Sequence, residues 1–330
     1  MNKESHRTDG RSHGGDDVGA PVLMPPLYRW PPQPLTILRW IWARVLYPWG
    51  LFFLGLAIFS WQYLTPSLEA MASFSLDWIG LIWLRNAALL FLIAMPLHWW
   101  LYQRRGQDAA SKLNPSWQPQ NSGRFLFRAQ LKDNMFWSLA SGCTVWSLYE
   151  AFTFWLYANS YLDIREWSDS KGYLAGLALL TFFASWAHFY FVHRLLHVPV
   201  IYRLAHALHH RNNSPQPWSG ISMHPLEHVL YFSIFAVFWW IPTHPALIIM
   251  LGFFQGIGPA ISHCGFEEIR FGKRIRIPSG DPFHQLHHKY YEVNYGNKPA
   301  PFDKLFGSWH DGTVDAKRAF RMQRAQTLKG

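Results

Sequence analysis

Charged residues are scarce in this 330-residue chain, and cysteine is nearly absent. Lys, Arg, Asp and Glu together make up 15% of the residues, whereas a typical soluble domain carries about 25%. The low charge disfavours an ordinary soluble domain. Cys143 and Cys264 are the only cysteines, and they form no CxxC pair. A disulfide scaffold and a cysteine-held iron–sulfur cluster are therefore excluded.

Signatures of nucleotide cofactors and of nucleic-acid binding are missing as well. No GxGxxG fingerprint occurs, so the chain carries no dinucleotide site of that kind. The net charge is +10, but the basic residues flank apolar stretches and are better explained as membrane-topology signals. We therefore predict no nucleic-acid partner. Any redox chemistry would need electrons from a separate protein.

Aromatic residues are abundant. They reach 18%, with 19 Trp, which is typical of membrane proteins with interfacial Trp and Tyr belts. The mean hydropathy is only −0.05, because Trp, Tyr and His score poorly and both ends of the chain are polar. Local windows are more informative. Five apolar stretches stand out, at 45–68, 79–102, 134–157, 173–192 and 229–262.

The first four stretches are predicted to be transmembrane helices. The third is weaker because it contains Glu150, and the fifth is broken by Pro242 and Pro245 into a short helical hairpin. The predicted fold is thus all-α, a multi-pass membrane helical bundle. We divide the chain into a disordered tail (1–27), N-terminal membrane helices with a basic loop (28–133), a histidine-box domain (134–312) and a basic C-terminal tail (313–330).

The distribution of Lys and Arg predicts the orientation. The loop 103–133 holds six basic residues, 65–78 holds none, and 163–171 is net acidic. The N-terminus and the basic loop should therefore face the cytoplasm, which places every histidine cluster on that side. The N-terminus lacks the apolar core of a signal peptide. The C-terminus shows no endoplasmic-reticulum retrieval signal, which favours a bacterial inner membrane over that compartment.

Histidine is the residue that points to chemistry. Of the 17 histidines, most lie in clusters after the fourth stretch. Residues i, i+3 and i+4 share one helix face, so HxxxH and HxxHH aim several imidazoles at one point. Four such clusters exceed the needs of one metal, which predicts two. The motifs are His193-x-x-x-His197, His206-x-x-His209-His210, His224-x-x-x-His228 and His284-x-x-His287-His288, with His263 standing alone.

Not every histidine is a good ligand candidate. His98, His188, His244 and His310 are better explained as ordinary packed residues. His224 is a candidate ligand, whereas His228 could bind the metal directly or support a ligand. An all-imidazole cage without a carboxylate ligand favours iron with open positions for O2, because catalytic zinc needs about three ligands. Composition alone leaves zinc and copper open.

These motifs, together with Asn294-Tyr295-Gly296 and Asp303-Lys-Leu-Phe-Gly307, resemble the fatty acid hydroxylase superfamily over residues 135–310. This superfamily includes sterol desaturases and lipid hydroxylases. Two positions depart from its usual pattern: Gln285 replaces a frequent Asp, and Phe302 a frequent Trp. By this resemblance the expected ligands of a non-haem di-iron centre are His193, His197, His206, His209, His210, His224, His263, His284, His287 and His288.

The resemblance also implies an activity. O2 and two electrons would be consumed, and hydrogen would be removed from an unactivated C–H bond of a lipid, giving an alcohol or an alkene. A sterol, a fatty acyl chain, an aminolipid head group and a carotenoid all remain open as substrates. A reductase, ferredoxin or cytochrome would supply the electrons. Ligand histidines usually donate their second N–H to an acceptor, and the nearby carboxylates are Glu227, Glu267 and Asp281.

Two other functions are compatible with parts of the sequence. His224-Pro-Leu-Glu227-His228 matches the H-x-x-E-H pattern of an intramembrane zinc metalloprotease, with Glu227 as general base. That hypothesis ignores both HxxHH boxes. A metal transporter is the second alternative, since intramembrane histidines can mark ion pathways. The clusters lie after the membrane spans, which disfavours transport. A catalytically inactive scaffold is not excluded, but nothing favours it.

Overall fold

The computed structural model describes residues 21–272 and 274–327, and these are mostly helical, as predicted. Most of the predicted disordered tail, residues 1–20, lies outside the described residues, as does the extreme C-terminus. Within the described ranges the strands are β1 (Glu268–Phe271) and β2 (Ile275–Pro278), which form an antiparallel hairpin. The part of the basic C-terminal tail that is described forms a helix.

The helices are joined by connections of very different length, the longest of them the basic loop between α2 and α3. In chain order they are α1 (Pro34–Tyr63), α2 (Leu76–Gln103), α3 (130–158), α4 (Trp167–Leu196), α5 (199–210), α6 (Pro225–Phe238), α7 (Pro245–Ser262), α8 (Pro282–Tyr290), α9 (Pro301–Leu305) and α10 (Val314–Thr327). Single 3₁₀ turns lie at Pro26–Tyr28, Ala70–Ala72, Ala109–Ser111 and Pro217–Ser219.

Four helices are long and apolar enough to cross a membrane: α1, α2, α4 and α7. The predicted number is confirmed, but one member differs. The predicted third span, 134–157, lies in α3 and is not among the four, since Glu150 and several hydroxyl residues lower its hydropathy. Helix α7 is the fourth helix able to cross a membrane instead. It is the second arm of the predicted hairpin, whose first arm is the shorter α6.

Loop contacts define two ends of the bundle. At one end, Asn159 Nδ2 donates to Ala72 O (3.0 Å) and Arg165 N donates to Thr243 O (3.2 Å). These bonds gather the α1–α2, α3–α4 and α6–α7 connections. At the other end, Gln130 Nε2 donates to Ser214 O (3.0 Å). The basic loop and the histidine clusters therefore share one end, which we call the histidine end, and α3 connects the two.

Helices α6, α7 and α8 begin with the same local arrangement, a capping side chain followed by proline. Proline suits the first helical position because its missing N–H has no intrahelical partner there. His224 Nδ1 accepts from Leu226 N (3.2 Å) and His244 Nδ1 from Ala246 N (3.1 Å). Asp281 Oδ1 accepts from Phe283 N (3.1 Å). The sequence thus fixes where both hairpin arms and α8 start.

The core is apolar, closely packed and rich in aromatic rings. A Cβ atom on Gly256 of α7 would lie 2.4 Å from the ring of Trp146 in α3. Only glycine lets the two helices approach this closely. Gly256 therefore serves helix packing rather than a phosphate-binding loop.

Candidate metal centre

Nine of the ten expected ligand histidines lie in two adjacent groups, within which the ligand atoms are within 4.8 Å of one another. The five-histidine group contains His193, His197, His206, His210 and His287, and the four-histidine group contains His209, His263, His284 and His288. They come from the end of α4, from α5, from the residue after α7, and from α8. Folding therefore brings together nine histidines that are spread over about 100 residues of the sequence.

Each HxxHH box is divided between the two groups. His206 and His210 of α5 join the five-histidine group and His209 joins the four-histidine group, whereas α8 does the reverse. At 3.6 residues per turn, residues i and i+4 lie about 40° apart, and residue i+3 lies about 100° from i+4. The i and i+4 histidines of a box therefore point toward one group, and the i+3 histidine points toward the other group. This pattern accounts for two sites built from two short helices.

In the five-histidine group the Nε2 atoms converge. Metal–nitrogen bonds of about 2.0–2.1 Å place neighbouring ligand nitrogens about 3 Å apart. The observed separations match this distance, so the group fits one metal ion. They are 2.9 Å for His193–His206, 3.1 Å for His197–His287, 3.2 Å for His197–His210 and 3.0 Å for His210–His287.

Three Nδ1 atoms of this group, those of His193, His206 and His287, have hydrogen-bond acceptors outside it. Nδ1 of His193 lies 2.6 Å from Tyr295 O, and Nδ1 of His206 lies 2.7 Å from Glu227 Oε1. An acceptor at Nδ1 selects the tautomer with its proton there, which leaves the Nε2 lone pair free for a metal. Tyr295 O and Glu227 Oε1 therefore favour the tautomer of His193 and His206 in which Nε2 can bind a metal.

The four-histidine group holds several buried nitrogens without partners among the described residues. They are Nδ1 of His209, Nε2 of His263, Nε2 of His284 and both ring nitrogens of His288. Buried polar atoms left unpaired are costly, and a metal ion would satisfy one nitrogen of each of these four histidines. Burial lowers the pKa of His209 to about 4, and burial next to His209 lowers the pKa of His263 to about 3. Both imidazoles are thus neutral at pH 7, the form that binds metals.

The structure does not bring His224 or His228 into either group. His224 is half-buried and caps α6. His228 is buried, and both its nitrogens have protein partners: Nδ1 lies 2.9 Å from Ser141 Oγ and Nε2 lies 3.0 Å from Ile221 O. Glu227, the proposed base of a protease, is hydrogen-bonded to His206. Among the residues that the structure describes, no metal-binding group contains His224 or His228, as the metalloprotease hypothesis would require.

The remaining candidates from the sequence are placed as follows. Of the three nearby carboxylates, Glu227 is hydrogen-bonded to His206 of the five-histidine group. Asp281 caps α8 by accepting from backbone N–H groups, and Glu267 is exposed. The histidines assigned to ordinary packing lie outside both groups. They are His98, His188, His244 and His310.

A small cavity lies against both groups. His193 and His206 of one group, and His209, His263 and His284 of the other, line it together with Phe189 and Tyr231. A second cavity shares four lining residues with the first: Tyr231, Pro259, Ser262 and Asn297. The second cavity extends between α1, α4 and α7, and its other walls include Val45, Phe53, Phe182, Trp186 and Phe254. The spacing of the histidines in the sequence does not indicate these wall residues.

Comparison with known proteins defines the class. Residues 178–308 match the family model described as fatty acid hydroxylase, and this segment carries both histidine groups. The histidine-bearing part of the chain belongs to the fatty acid hydroxylase and sterol desaturase superfamily, as its motifs predicted.

Curated relatives have more specific names. A putative Delta(7)-sterol-C5(6)-desaturase 2 of Arabidopsis thaliana is 31% identical over 160 residues, which cover 47% of this chain and 54% of the relative. A Delta(7)-sterol 5(6)-desaturase of Candida albicans is 28% identical over 158 residues, covering 46% and 39%. The chain thus spans about half or less of the length of these relatives. No solved structure matches it significantly.

Proposed function

We propose that this chain is a membrane lipid oxidoreductase that holds two iron ions, uses O2 and external electrons, and hydroxylates or desaturates a lipid. One observation carries the proposal: two adjacent, largely buried, all-imidazole groups border a cavity that adjoins a second, mainly apolar cavity between membrane helices. Bound iron would supply the O2 and electron-transfer chemistry. His224 and His228 are not assigned as ligands in this proposal.

The protein's own residues would hold and orient the reactants. Tyr295 O and Glu227 fix the ring orientation of His193 and His206. The apolar walls of the second cavity, with Phe53 and Phe182 among them, exclude water and guide a hydrocarbon skeleton toward the histidines. Burial of the groups keeps reactive species away from bulk water.

The relatives' names make a sterol-like ring lipid the first substrate to test, with desaturation as its reaction. The electron donor is a separate protein in this proposal, because the chain has no dinucleotide or iron–sulfur motif. The histidine end is assigned to the cytoplasm, since the basic loop packs there. The host membrane stays a prediction: the sequence favours a bacterial inner membrane, whereas the relatives named above come from a plant and a fungus.

Metal analysis of the detergent-purified chain tests the proposal. We expect about two irons per chain when it is expressed with sufficient iron and handled without chelator. His287→Ala and His209→Ala each remove a ligand from one group and should lower the content to about one iron or less. His224→Ala is the matched control, because His224 lies outside both groups; it should keep the wild-type iron content.

The opposite result would redirect the interpretation. One zinc per chain, kept in His209→Ala and His287→Ala but lost in His228→Ala, would contradict the di-iron proposal and favour a protease. When iron is present, sterol incubation with O2, a reductase and NADPH should yield a product lighter by two hydrogens or heavier by one oxygen. Mass spectrometry distinguishes the two.

A further inference from the structure

The loop 293–296, which follows α8, orients histidines of both groups through its backbone carbonyls. His193 and His287 belong to the five-histidine group and His284 to the four-histidine group. One short loop therefore serves both candidate metal sites. The bonded pairs are His287 Nδ1 with Val293 O at 2.7 Å, His193 Nδ1 with Tyr295 O at 2.6 Å, and His284 Nδ1 with Gly296 O at 3.4 Å.

Asp303 of α9 holds this loop in place. Its Oδ1 accepts from Tyr295 N at 2.8 Å, and its Oδ2 accepts from Gly296 N at 3.0 Å. Ser308 Oγ donates to Oδ1 at 2.7 Å and fixes the carboxylate from the other side. Asp303 is fully buried. No hydrogen bond joins it to a histidine within the described part of the chain, so any effect on the groups passes through the loop.

The peptide between Tyr295 and Gly296 links the carboxylate to a ligand. Its N–H donates to Asp303, and its C=O accepts from His193. Hydrogen bonds in such a chain polarise one another, so the negative charge of Asp303 strengthens the carbonyl as an acceptor. Ligand histidines commonly bond a carboxylate directly, as His206 does here with Glu227. At His193, one peptide lies between the imidazole and the carboxylate of Asp303.

The surroundings leave this loop little freedom. A Cβ on Gly296 would lie 2.9 Å from Lys298 O and 3.0 Å from Asp303 Oδ2. The side chain of Asn294 donates to Phe283 O at 3.1 Å and to His310 O at 2.8 Å. The Asn294-Tyr295-Gly296 motif and Asp303 therefore form one tightly fitted unit.

We propose that Asp303 is a positioning residue of the metal centre, acting on His193 through the Tyr295–Gly296 peptide and on His284 through the position of the loop that carries Gly296 O. This inference rests on the proposed metal centre. Loss of the charge should weaken the donor strength of His193 without removing a ligand. The affinity for a metal and the spectrum of the bound metal should both change.

Titration of the metal-free full-length protein with Co²⁺ tests the proposal without any turnover. Asp303→Asn keeps the shape of the side chain but removes its charge and puts an amide where two N–H groups donate. We expect Co²⁺ binding to weaken about ten- to hundred-fold, with a shift of the cobalt d–d absorption bands. Asp311→Asn is the control, because the Asp311 carboxylate is hydrogen-bonded to Thr313 rather than to the loop; it should bind and absorb as wild type.

Several outcomes would overturn the inference. Asp303→Asn could show wild-type affinity and spectrum, or a change no larger than that of Asp311→Asn. If Asp303→Asn does not fold, Ser308→Ala decides, because it loosens the carboxylate while keeping its charge. That variant should shift the same bands with a smaller loss of affinity, and an unchanged spectrum contradicts the proposal. Failure of the wild-type chain to bind Co²⁺ would instead contradict the metal centre itself.

Discussion

Glu227 is the residue at which the motif and the structure give different meanings. In the sequence it is the third residue after His224, where a zinc protease would carry its general base. In the structure its Oε1 lies 2.7 Å from His206 Nδ1, and both atoms are buried. Its other oxygen has no partner among the described residues. A carboxylate in this place is positioned to orient the imidazole of His206, in keeping with the proposed di-iron centre.

Replacement of Glu227 by Gln separates these two roles. The Gln carbonyl can still accept from His206 Nδ1, but the negative charge is gone. We expect the chain to retain its iron at saturating concentration while releasing it about ten-fold faster or more to a chelator. Iron content before and after chelator challenge measures this. Asp311→Asn serves as a control carboxylate, and equal release from all three proteins would refute the role given to Glu227.

Spacing alone predicted most of the residues that the structure brings together. The HxxxH and HxxHH motifs can be recognised as candidate ligand sets in the sequence because residues i, i+3 and i+4 share a helix face. The division of each box between the groups was not predictable, since it depends on how α5 and α8 face each other. His224 lies outside both groups for a local reason: it precedes proline at a helix start, where its ring caps the helix.

At the level of the helices, α3 shows why hydropathy is an incomplete guide. Its Glu150 is fully buried and paired with Arg85 of α2. Asn86 of α2 donates to Glu150 Oε2 at 3.0 Å and to Ser147 Oγ at 3.1 Å. The polar residues that lower the hydropathy of α3 thus face another helix. Sequence windows average over the helix circumference and cannot detect which side is covered.

Removal of Glu150 should destabilise the bundle strongly. Glu150→Ala leaves the Arg85 guanidinium buried without its counter-charge, at a cost of about 3–5 kcal/mol. We expect a clear fall in the thermal unfolding midpoint in detergent. Glu166→Ala is the control, because Glu166 is exposed and should leave the midpoint unchanged. An apolar replacement of both partners, Arg85→Met with Glu150→Leu, should recover most of the loss; no recovery would contradict a pairwise origin.

At the level of the whole molecule, the histidine end adjoins an interior that lies between apolar helices. The histidine groups close one end of the bundle, and the second cavity lies between α1, α4 and α7, three of the helices able to cross a membrane. A lipid could therefore reach the histidines sideways from the bilayer. The sequence predicted the number of spans and three of the four, α1, α2 and α4, but not the gap between α1, α4 and α7. The gap depends on which small and aromatic side chains meet after packing.

Gly258 offers a way to close that gap without disturbing the backbone. It lines the second cavity, and a Cβ there would meet only Phe254 at 3.7 Å and Phe53 at 3.9 Å. Gly258→Leu should therefore be accommodated at the main chain while its side chain fills the path. We expect lipid turnover to fall at least about ten-fold, a barrier increase of about 1.4 kcal/mol, with iron content unchanged.

Gly55→Leu on α1 is the matched control, because a Cβ on Gly55 meets nothing within 4 Å and Gly55 is exposed. Product formation and iron content, measured together on both variants, separate a blocked path from a damaged metal centre. If Gly258→Leu loses iron, the cavity supports the histidines rather than the substrate. If both variants turn over lipid like the wild type, the substrate does not pass between α1, α4 and α7, and another entrance to the histidine end must exist.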